Sequence, residues 1–270
     1  MSNELNAVLA QSIEVSPGLS ILRVVPDGWE LPDFKPGQFA VLGLPSSAPR
    51  CRVCDPEESP PESDKLINRA YSIASSSLGK EYVEFYIVRV PSGALTPRLS
   101  ALSNGDPLWL STKFTGMFTL EEVPRDKHIV LVSTGTGLAP YVSMLRTELA
   151  CDDSRRFAIL HGARHSWDLG YRGELMTLNR LCPNFTYIPS ITRPAEEHAA
   201  WGGATGYIQD LWKSMPLEQS WGFKPSPSDT HVFVCGNPAM IETMVTILEG
   251  DGFAEHSRKN PGQIHVERYW

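Results

Sequence analysis

No apolar run in the sequence approaches the roughly 18 residues that a bilayer-spanning helix needs, so no membrane insertion is expected. The first residues, Met1 to Asn6, hold neither a basic cluster nor an apolar stretch. No secretory leader is therefore expected, and the expected compartment is the cytoplasm. A basic excess is also missing. The 24 lysines and arginines face 31 acidic residues, a net charge of −7, which argues against nucleic acid as the main partner. Cysteine is scarce: five in 270 residues, an odd count in a chain rich enough in apolar residues to build a real core. A disulfide framework is not expected. Cys51 and Cys54 have a Cys-x-x-Cys spacing, but no second pair of cysteines or histidines completes the four ligands of a zinc site. No metal is expected, and the two are read as reduced thiols in a loop, with a redox pair as the alternative. What remains is a globular chain long enough for two domains and expected to be a monomer.

The first half reads as short strands separated by turns. Strands are expected over Glu14 to Val25, Phe39 to Leu44, Arg69 to Ala74, Tyr82 to Val90 and Pro107 to Leu110. Together they suggest a small antiparallel barrel ending near Met117 and Phe118. Within it, Arg69, Tyr71 and Ser72 stand at i, i+2 and i+3. In a strand, i and i+2 share a face, so a guanidinium and a phenol ring point to one side with a hydroxyl displayed beside them. That set suits a flat aromatic ligand bearing phosphates: a fork for a pyrophosphate, a ring for stacking and a hydroxyl for a ring nitrogen. After the fourth strand, Gly93-Ala94-Leu95-Thr96 turns into a helix that Thr96 and Pro97 should open, with Leu99 and Leu102 on one face. Between Pro45 and Ile67 lie five prolines and five acidic residues, the composition of a long surface loop.

The second half changes pattern. The continuous apolar run His128 to Ser133 reads as a strand buried on both faces, as in a parallel sheet. It enters Gly135-Thr136-Gly137-Leu138-Ala139-Pro140 and then a helix with Tyr141, Met144, Leu145 and Leu149 at helical spacing. A Gly-x-Gly turn between strand and helix lets backbone amides approach a pyrophosphate. Further strands are expected at Phe157 to Leu160, followed by Ala163-Arg164; at Phe185 to Ile191, followed by Thr192-Arg193; and at His231 to Val234, followed by Cys235-Gly236-Asn237-Pro238 and a helix. Gly202 to Ile208 forms a turn that displays Tyr207. Strand, turn and helix repeated in this order describe a doubly wound α/β domain, whose ligands bind at the carboxyl ends of the strands. A cation at the end of the second strand suits a ribose 2′-phosphate where an acid would suit a 2′-hydroxyl. The expected division is a barrel over residues 1–120, carrying the 45–67 insertion, and an α/β domain over 121–270.

Taken in order, these motifs resemble the ferredoxin–NADP⁺ reductase family over nearly the whole chain. Arg69-Ala70-Tyr71-Ser72 resembles the flavin motif and Gly93 to Thr96 the flavin-phosphate turn. Gly135 to Pro140 is similar to the nicotinamide-pyrophosphate motif, and Cys235-Gly236-Asn237-Pro238 to the nicotinamide-side loop. The ending Tyr269-Trp270 resembles that of the bacterial type. The resemblance implies a flavoprotein oxidoreductase that uses FAD and NADP(H), with ferredoxin or flavodoxin as protein partner. Arg69, Ala70, Tyr71, Ser72, Tyr86, Ala94, Leu95, Thr96 and Thr136 would hold FAD. Tyr269 would lie over the isoalloxazine opposite Tyr71, and Trp270 against the adenosine. Gly135, Thr136, Gly137, Ala163, Arg164, Thr192, Arg193, Tyr207, Cys235, Asn237 and Pro238 would hold NADP(H), the arginines on its 2′-phosphate. Ser72, Cys235, Glu267 and Tyr269 would stand at the reacting centre, where Cys235 and Glu267 have a buried thiol and a solvated carboxylate as their plain alternatives. Arg98, Lys113, Arg258, Lys259 and Arg268 would give an acidic ferredoxin a local basic face. Two features depart from the bacterial pattern: Tyr207 stands where a further arginine is frequent, and the 45–67 insertion lengthens a short connection. The rival readings are a stand-alone NADPH-dependent reductase of an oxygenase system and a redox-sensing flavin-binding module switched by Cys51 and Cys54.

Overall fold

The computed structural model describes residues 4–57, 64–214 and 216–268. Among them are two six-stranded sheets, one antiparallel and one parallel. The chain divides into two compact units. One runs to Thr119 and adds Ala139–Thr147; the other comprises Leu120–Leu138 and the chain from Glu148 onward.

The first unit holds β1 (Ala7–Ser16), β2 (Leu19–Pro26), β3 (Phe39–Pro45), β4 (Leu66–Ser72), β5 (Val83–Val88), the single-turn helix α1 (Thr96–Leu99) and β6 (Pro107–Leu110). Their order across the sheet is β4-β3-β6-β1-β2-β5. A bridge between Ile73 and Phe85 brings the first strand back to the last, so the sheet curls into a barrel. Leu9, Leu42, Leu108, Leu110 and Phe85 fill it. The strand expected over Glu14 to Val25 is instead a hairpin. Pro17-Gly18 breaks it, with Gly18 at φ +81°, a conformation that costs glycine little.

At the seam, the Glu84 carboxylate is fully buried between two guanidinium groups. Arg23 Nε donates to Oε2 at 2.7 Å, and Arg146 Nη1 donates to Oε1 at 2.7 Å. Arg146 also reaches the Ala74 carbonyl at 3.0 Å, while the Glu84 amide donates to the Ser75 hydroxyl at 3.1 Å. Both carboxylate oxygens are thereby satisfied, a condition for keeping a charge out of water.

The insertion after β3 is anchored to the turn that precedes α1. Arg98 is 2% exposed; it grips both Glu57 oxygens at 2.8 Å and the Ala94 and Ser46 carbonyls at 2.7 and 2.6 Å. Arg50 binds Glu57 and the carbonyls of Gly93, Asp55 and Pro91. This corrects the expected docking role of Arg98, which is sealed inside an ion pair. Arg268 is also engaged, by Glu242 at 3.2 Å and Glu255 at 3.0 Å. The Thr96 hydroxyl does not cap α1; it bonds the Val90 amide at 3.0 Å, and the helix ends after one turn.

Two cysteine expectations are overturned. Cys51 and Cys54 form a disulfide across a tight turn, and Cys151 pairs with Cys182, whose Cα atoms lie 4.5 Å apart. The first pairing is the alternative that the Cys-x-x-Cys spacing offered; the second is not readable from spacing, because it joins residues 31 apart. Cys235 is buried and takes part in no disulfide among the described residues.

The second unit is built from β7 (His128–Thr134), the helix α2 (Ala139–Glu148) that leaves it, β8 (Phe157–Ala163), α3 (Arg172–Leu181), β9 (Phe185–Ile191), β10 (Ala204–Thr205), α4 (Ile208–Ser214), α5 (Pro216–Trp221), β11 (Thr230–Cys235), α6 (Pro238–Gly250) and β12 (Ile264–Glu267). Most of α2 groups with the barrel unit. The sheet runs β10-β9-β8-β7-β11-β12, all parallel. The doubly wound expectation holds, with β12 an additional edge strand that its short alternating sequence does not announce. No helix among the described residues is long and apolar enough to cross a membrane.

Beside β12, His231 Nδ1 faces His265 Nε2 at 2.9 Å, and His256 stacks on His265 at 4.6 Å. Burial pushes His265 down to about 3 and His231 to about 4, with repulsion from the neighbouring histidines adding to both. Burial alone pushes His161 in β8 to about 3.

Two outcomes follow from these contacts. Glu84→Gln leaves two arginines facing a neutral amide and should lower stability by roughly 3–5 kcal/mol, read from the urea midpoint. A loss below about 1 kcal/mol would show that the pair is dispensable. The three histidines are neutral when folded but take up protons when unfolded, from about pH 6.5 downward. Stability is therefore complete above pH 6.5 and should fall as pH drops towards 4. Urea midpoints at pH 7.5 and 5 measure this, and His265→Gln should flatten the slope; equal midpoints would contradict it.

Candidate functional site

Each unit carries its own group of site residues. In the barrel, Arg69 and Tyr71 stand two apart on β4, opposite Leu42 and Ala40 of β3. Arg69 is exposed, and its guanidinium donates to the carbonyl of Asn68 at 2.7 Å. Tyr71 is half-buried, its ring edge-on to Phe85 at 6.5 Å; burial pushes its hydroxyl up to about 12, so it is neutral throughout the physiological range. Ser72 is buried at the end of the strand, not displayed beside the pair as the spacing suggested. It is paired with Phe39 of β3 and, one residue from Tyr71, faces the other side of the strand. Tyr86 is buried on β5, on the opposite face from Phe85, the ring that Tyr71 meets. At the Ala94-Leu95-Thr96 turn, Arg50 donates to the preceding Gly93 carbonyl and Arg98 to that of Ala94, and the amides of Ala94 and Leu95 have no partner among the described residues. An exposed cation, an aromatic face and free amide donors are a donor set for a flat ligand with an anionic tail.

In the α/β unit, the carboxyl ends of β7 and β11 are locked together. The Asn237 amide donates to Thr134 Oγ1 at 2.8 Å, and the Asn237 side chain caps α6 by accepting from Ala239 at 2.9 Å. Pro238 takes the first helical position, where no amide is missed. Two glycines are required by this closeness. A Cβ on Gly137 would lie 2.6 Å from the Cys235 carbonyl, and one on Gly236, at φ +138°, would lie 2.3 Å from Thr134 Oγ1. Gly135, at φ +56°, is exposed with open space around it, so backbone is presented to solvent at the turn. Thr136 is half-buried beside it. Cys235 is fully buried, its Cα paired in register with that of half-buried Glu267 on β12.

At the ends of β8 and β9, backbone bonds from Thr192 to Ala163 and from Arg193 to Arg164 hold the two arginine-bearing segments side by side. Arg164 is exposed, and its guanidinium has no partner among the described residues. Tyr207 is 64% exposed, after Gly206 at φ +105°. The residues just beyond each arginine form a cluster that residue-by-residue inspection passed over. His165 Nε2 meets Glu196 at 2.8 Å, Arg193 lies 3.5 Å from the same carboxylate, and Glu197 accepts from both the Ser166 amide and its hydroxyl at 2.7 and 2.6 Å. His165 stacks on Trp167 at 4.4 Å, and Trp167 lies 5.3 Å from His198. The hydrogen bond to Glu196 raises His165 above its usual range, and the bond to His165 holds Glu196 below its own. The signal was available: both segments follow strands of one parallel sheet, so their first residues converge. Tyr269 and Trp270 lie outside the described residues.

The sequence family described as Oxidoreductase NAD-binding domain matches residues 131–246. The flavodoxin/ferredoxin–NADP reductase of Escherichia coli (strain K12) is 33% identical over 88% of this chain and 88% of its own. The ferredoxin–NADP reductase of Pseudomonas aeruginosa is 31% identical over 87% and 86%. Among solved structures, a ferredoxin NADP⁺ reductase from Neisseria gonorrhoeae with bound FAD and NADP superposes with a TM-score of 0.82, at 25% identity and over the whole of both chains. A third of the aligned residues are thus identical to those of a reductase over 88% of either chain, and the barrel and parallel sheet are shared with another: the chain belongs to the flavodoxin/ferredoxin–NADP reductase family.

Proposed function

We propose that this oxidoreductase exchanges hydride between NADP(H) and a bound FAD, and single electrons with a ferredoxin or flavodoxin. FAD, when bound, supplies the chemistry that couples a two-electron donor to a one-electron partner. The barrel residues fit it. Arg69 and the free amides of Ala94 and Leu95 are donors for its pyrophosphate, and Tyr71 offers a neutral ring for stacking. Ser72, already buried, would be a hydrogen-bonding group at the ring edge without needing further desolvation. The Glu57–Arg98 pair braces the phosphate turn from behind.

NADP(H) fits the second set. Gly135, Thr136 and Gly137 would let backbone approach the coenzyme pyrophosphate, and Asn237 and Pro238 hold the opposite loop in place. Cys235 would act as a compact wall beside the nicotinamide, with Glu267 on the next strand as a proton-exchanging group. Ala163 and Thr192 set the spacing of Arg164 and Arg193, and Tyr207 offers an exposed ring to the adenine. Tyr269 and Trp270 are assigned the remaining isoalloxazine face and the FAD adenosine. The observation that carries the reading is Arg164: an exposed cation without a partner, at a strand end where such sheets bind nucleotides.

NADPH-dependent ferricyanide reduction is the direct test of the enzyme; FAD binding without turnover would contradict it. For coenzyme choice, a charge-assisted bond to a phosphate is worth about 1.5–3 kcal/mol. Arg164→Ala should accordingly raise KM for NADPH about ten- to hundredfold while leaving NADH nearly unchanged. Equal losses with the two coenzymes would remove Arg164 from the 2′-phosphate site.

A further inference from the structure

Arg164 and Arg193 have the same residue type and neighbouring strand ends, yet they differ in one respect. Arg164 is unpaired, while Arg193 shares the Glu196 carboxylate with His165. Next to them, Ser166 gives both its amide and its hydroxyl to Glu197, at 2.7 and 2.6 Å. A hydroxyl and an amide on one anion, with an imidazole and a guanidinium on its neighbour, are the contacts that a phosphate dianion would make. In this chain two consecutive carboxylates already make them. Both belong to a short segment, Pro194–Glu196 and the residue after it, with Glu196 exposed and Glu197 half-buried.

We infer that Glu196 and Glu197 are an internal counter-anion of the coenzyme's 2′-phosphate subsite, which the phosphate must displace in order to bind. This rests on the NADP(H) assignment above. Without a ligand, the carboxylates keep His165, Ser166 and Arg193 paired, so the donors do not stand unsatisfied. When a 2′-phosphorylated nucleotide arrives, it begins on Arg164, the unpaired cation, and then competes for the remaining donors. The pair therefore lowers affinity for the phosphorylated nucleotide selectively. A nucleotide without the 2′-phosphate does not need those donors and is unaffected. Asp168, 3.3 Å from His165 Nδ1, stays in place throughout and keeps the imidazole oriented once Glu196 has left.

The test is titration calorimetry of the FAD-loaded protein with 2′,5′-ADP and with 5′-AMP. The variants are Glu196→Gln, Glu197→Gln, the double substitution, and Glu197→Asp. Removing the competing charge should tighten 2′,5′-ADP about tenfold in the double variant, with smaller gains in each single, and leave 5′-AMP unchanged. Glu197→Asp keeps the charge and should not tighten binding, which separates loss of the anion from a loosened segment. Weaker or unchanged binding of 2′,5′-ADP in the double variant would overturn the inference, by showing that the carboxylates position the donors and do not compete for them. Tightening by Glu197→Asp equal to that by Glu197→Gln would also overturn it. If the wild-type protein bound 2′,5′-ADP no better than 5′-AMP, the coenzyme assignment itself would fail, and this inference with it.

Discussion

The barrel unit depends on a single buried charge. Glu84 has no contact with solvent, and a carboxylate in that position is tolerable only if its oxygens are fully paired. Arg23 from β2 takes one oxygen and Arg146 from α2 the other. The consequences spread along the chain. Arg146 reaches the Ala74 carbonyl, Ala74 donates back to Glu84, and the adjacent Ile73–Phe85 bridge closes the sheet. Phe85 is also the ring against which Tyr71 is set. Tyr71, whose face is proposed to meet a flavin, is thereby positioned by the same few residues that close the barrel.

The α/β unit solves a different problem: two strand ends must approach closely while leaving backbone available to a ligand. Gly137 and Gly236 permit the approach, because any side chain at either would meet backbone or the Thr134 hydroxyl. Thr134 then ties the two ends through the Asn237 amide. Gly135 is the complementary case, since nothing lies within reach of a Cβ there, and its left-handed φ is the constraint. Three glycines within one small region thus serve two distinct ends, closeness between protein segments and openness towards solvent.

What was legible in the sequence is what local pattern encodes. The apolar runs at His128, Phe157 and His231 each became a central strand, because near-continuous burial on both faces leaves a continuous signal. The turns after these strands and after β9 placed Gly135, Arg164, Arg193 and Asn237 at one edge, since parallel strands end on the same side. Pairings between distant segments left no local trace. Cys151 and Cys182 flank unrelated elements, Arg98 looks like an ordinary surface helix residue until Glu57 is brought to it, and β12 is only four residues long. The expected display of Ser72 overlooked parity: next to Tyr71 on a strand still paired with β3, it falls on the opposite face, which is buried.

The excess of acid over base takes on another meaning once the ion pairs are traced. A net charge of −7, taken by itself, describes a surface that repels an acidic electron carrier. Several of the acids, however, are spent on arginines: Glu84 on Arg23 and Arg146, Glu57 on Arg50 and Arg98, and Glu242 and Glu255 on Arg268. An arginine held in this way is structural, and its charge is largely cancelled at a distance. Arg164 is the contrast, an exposed cation just past the end of β8 with no carboxylate partner among the described residues. Counting charges therefore says little about where an anionic ligand binds. The absence of a counter-ion at a site built to hold one in fixed geometry says more, because only there does the ligand's own charge complete the pairing.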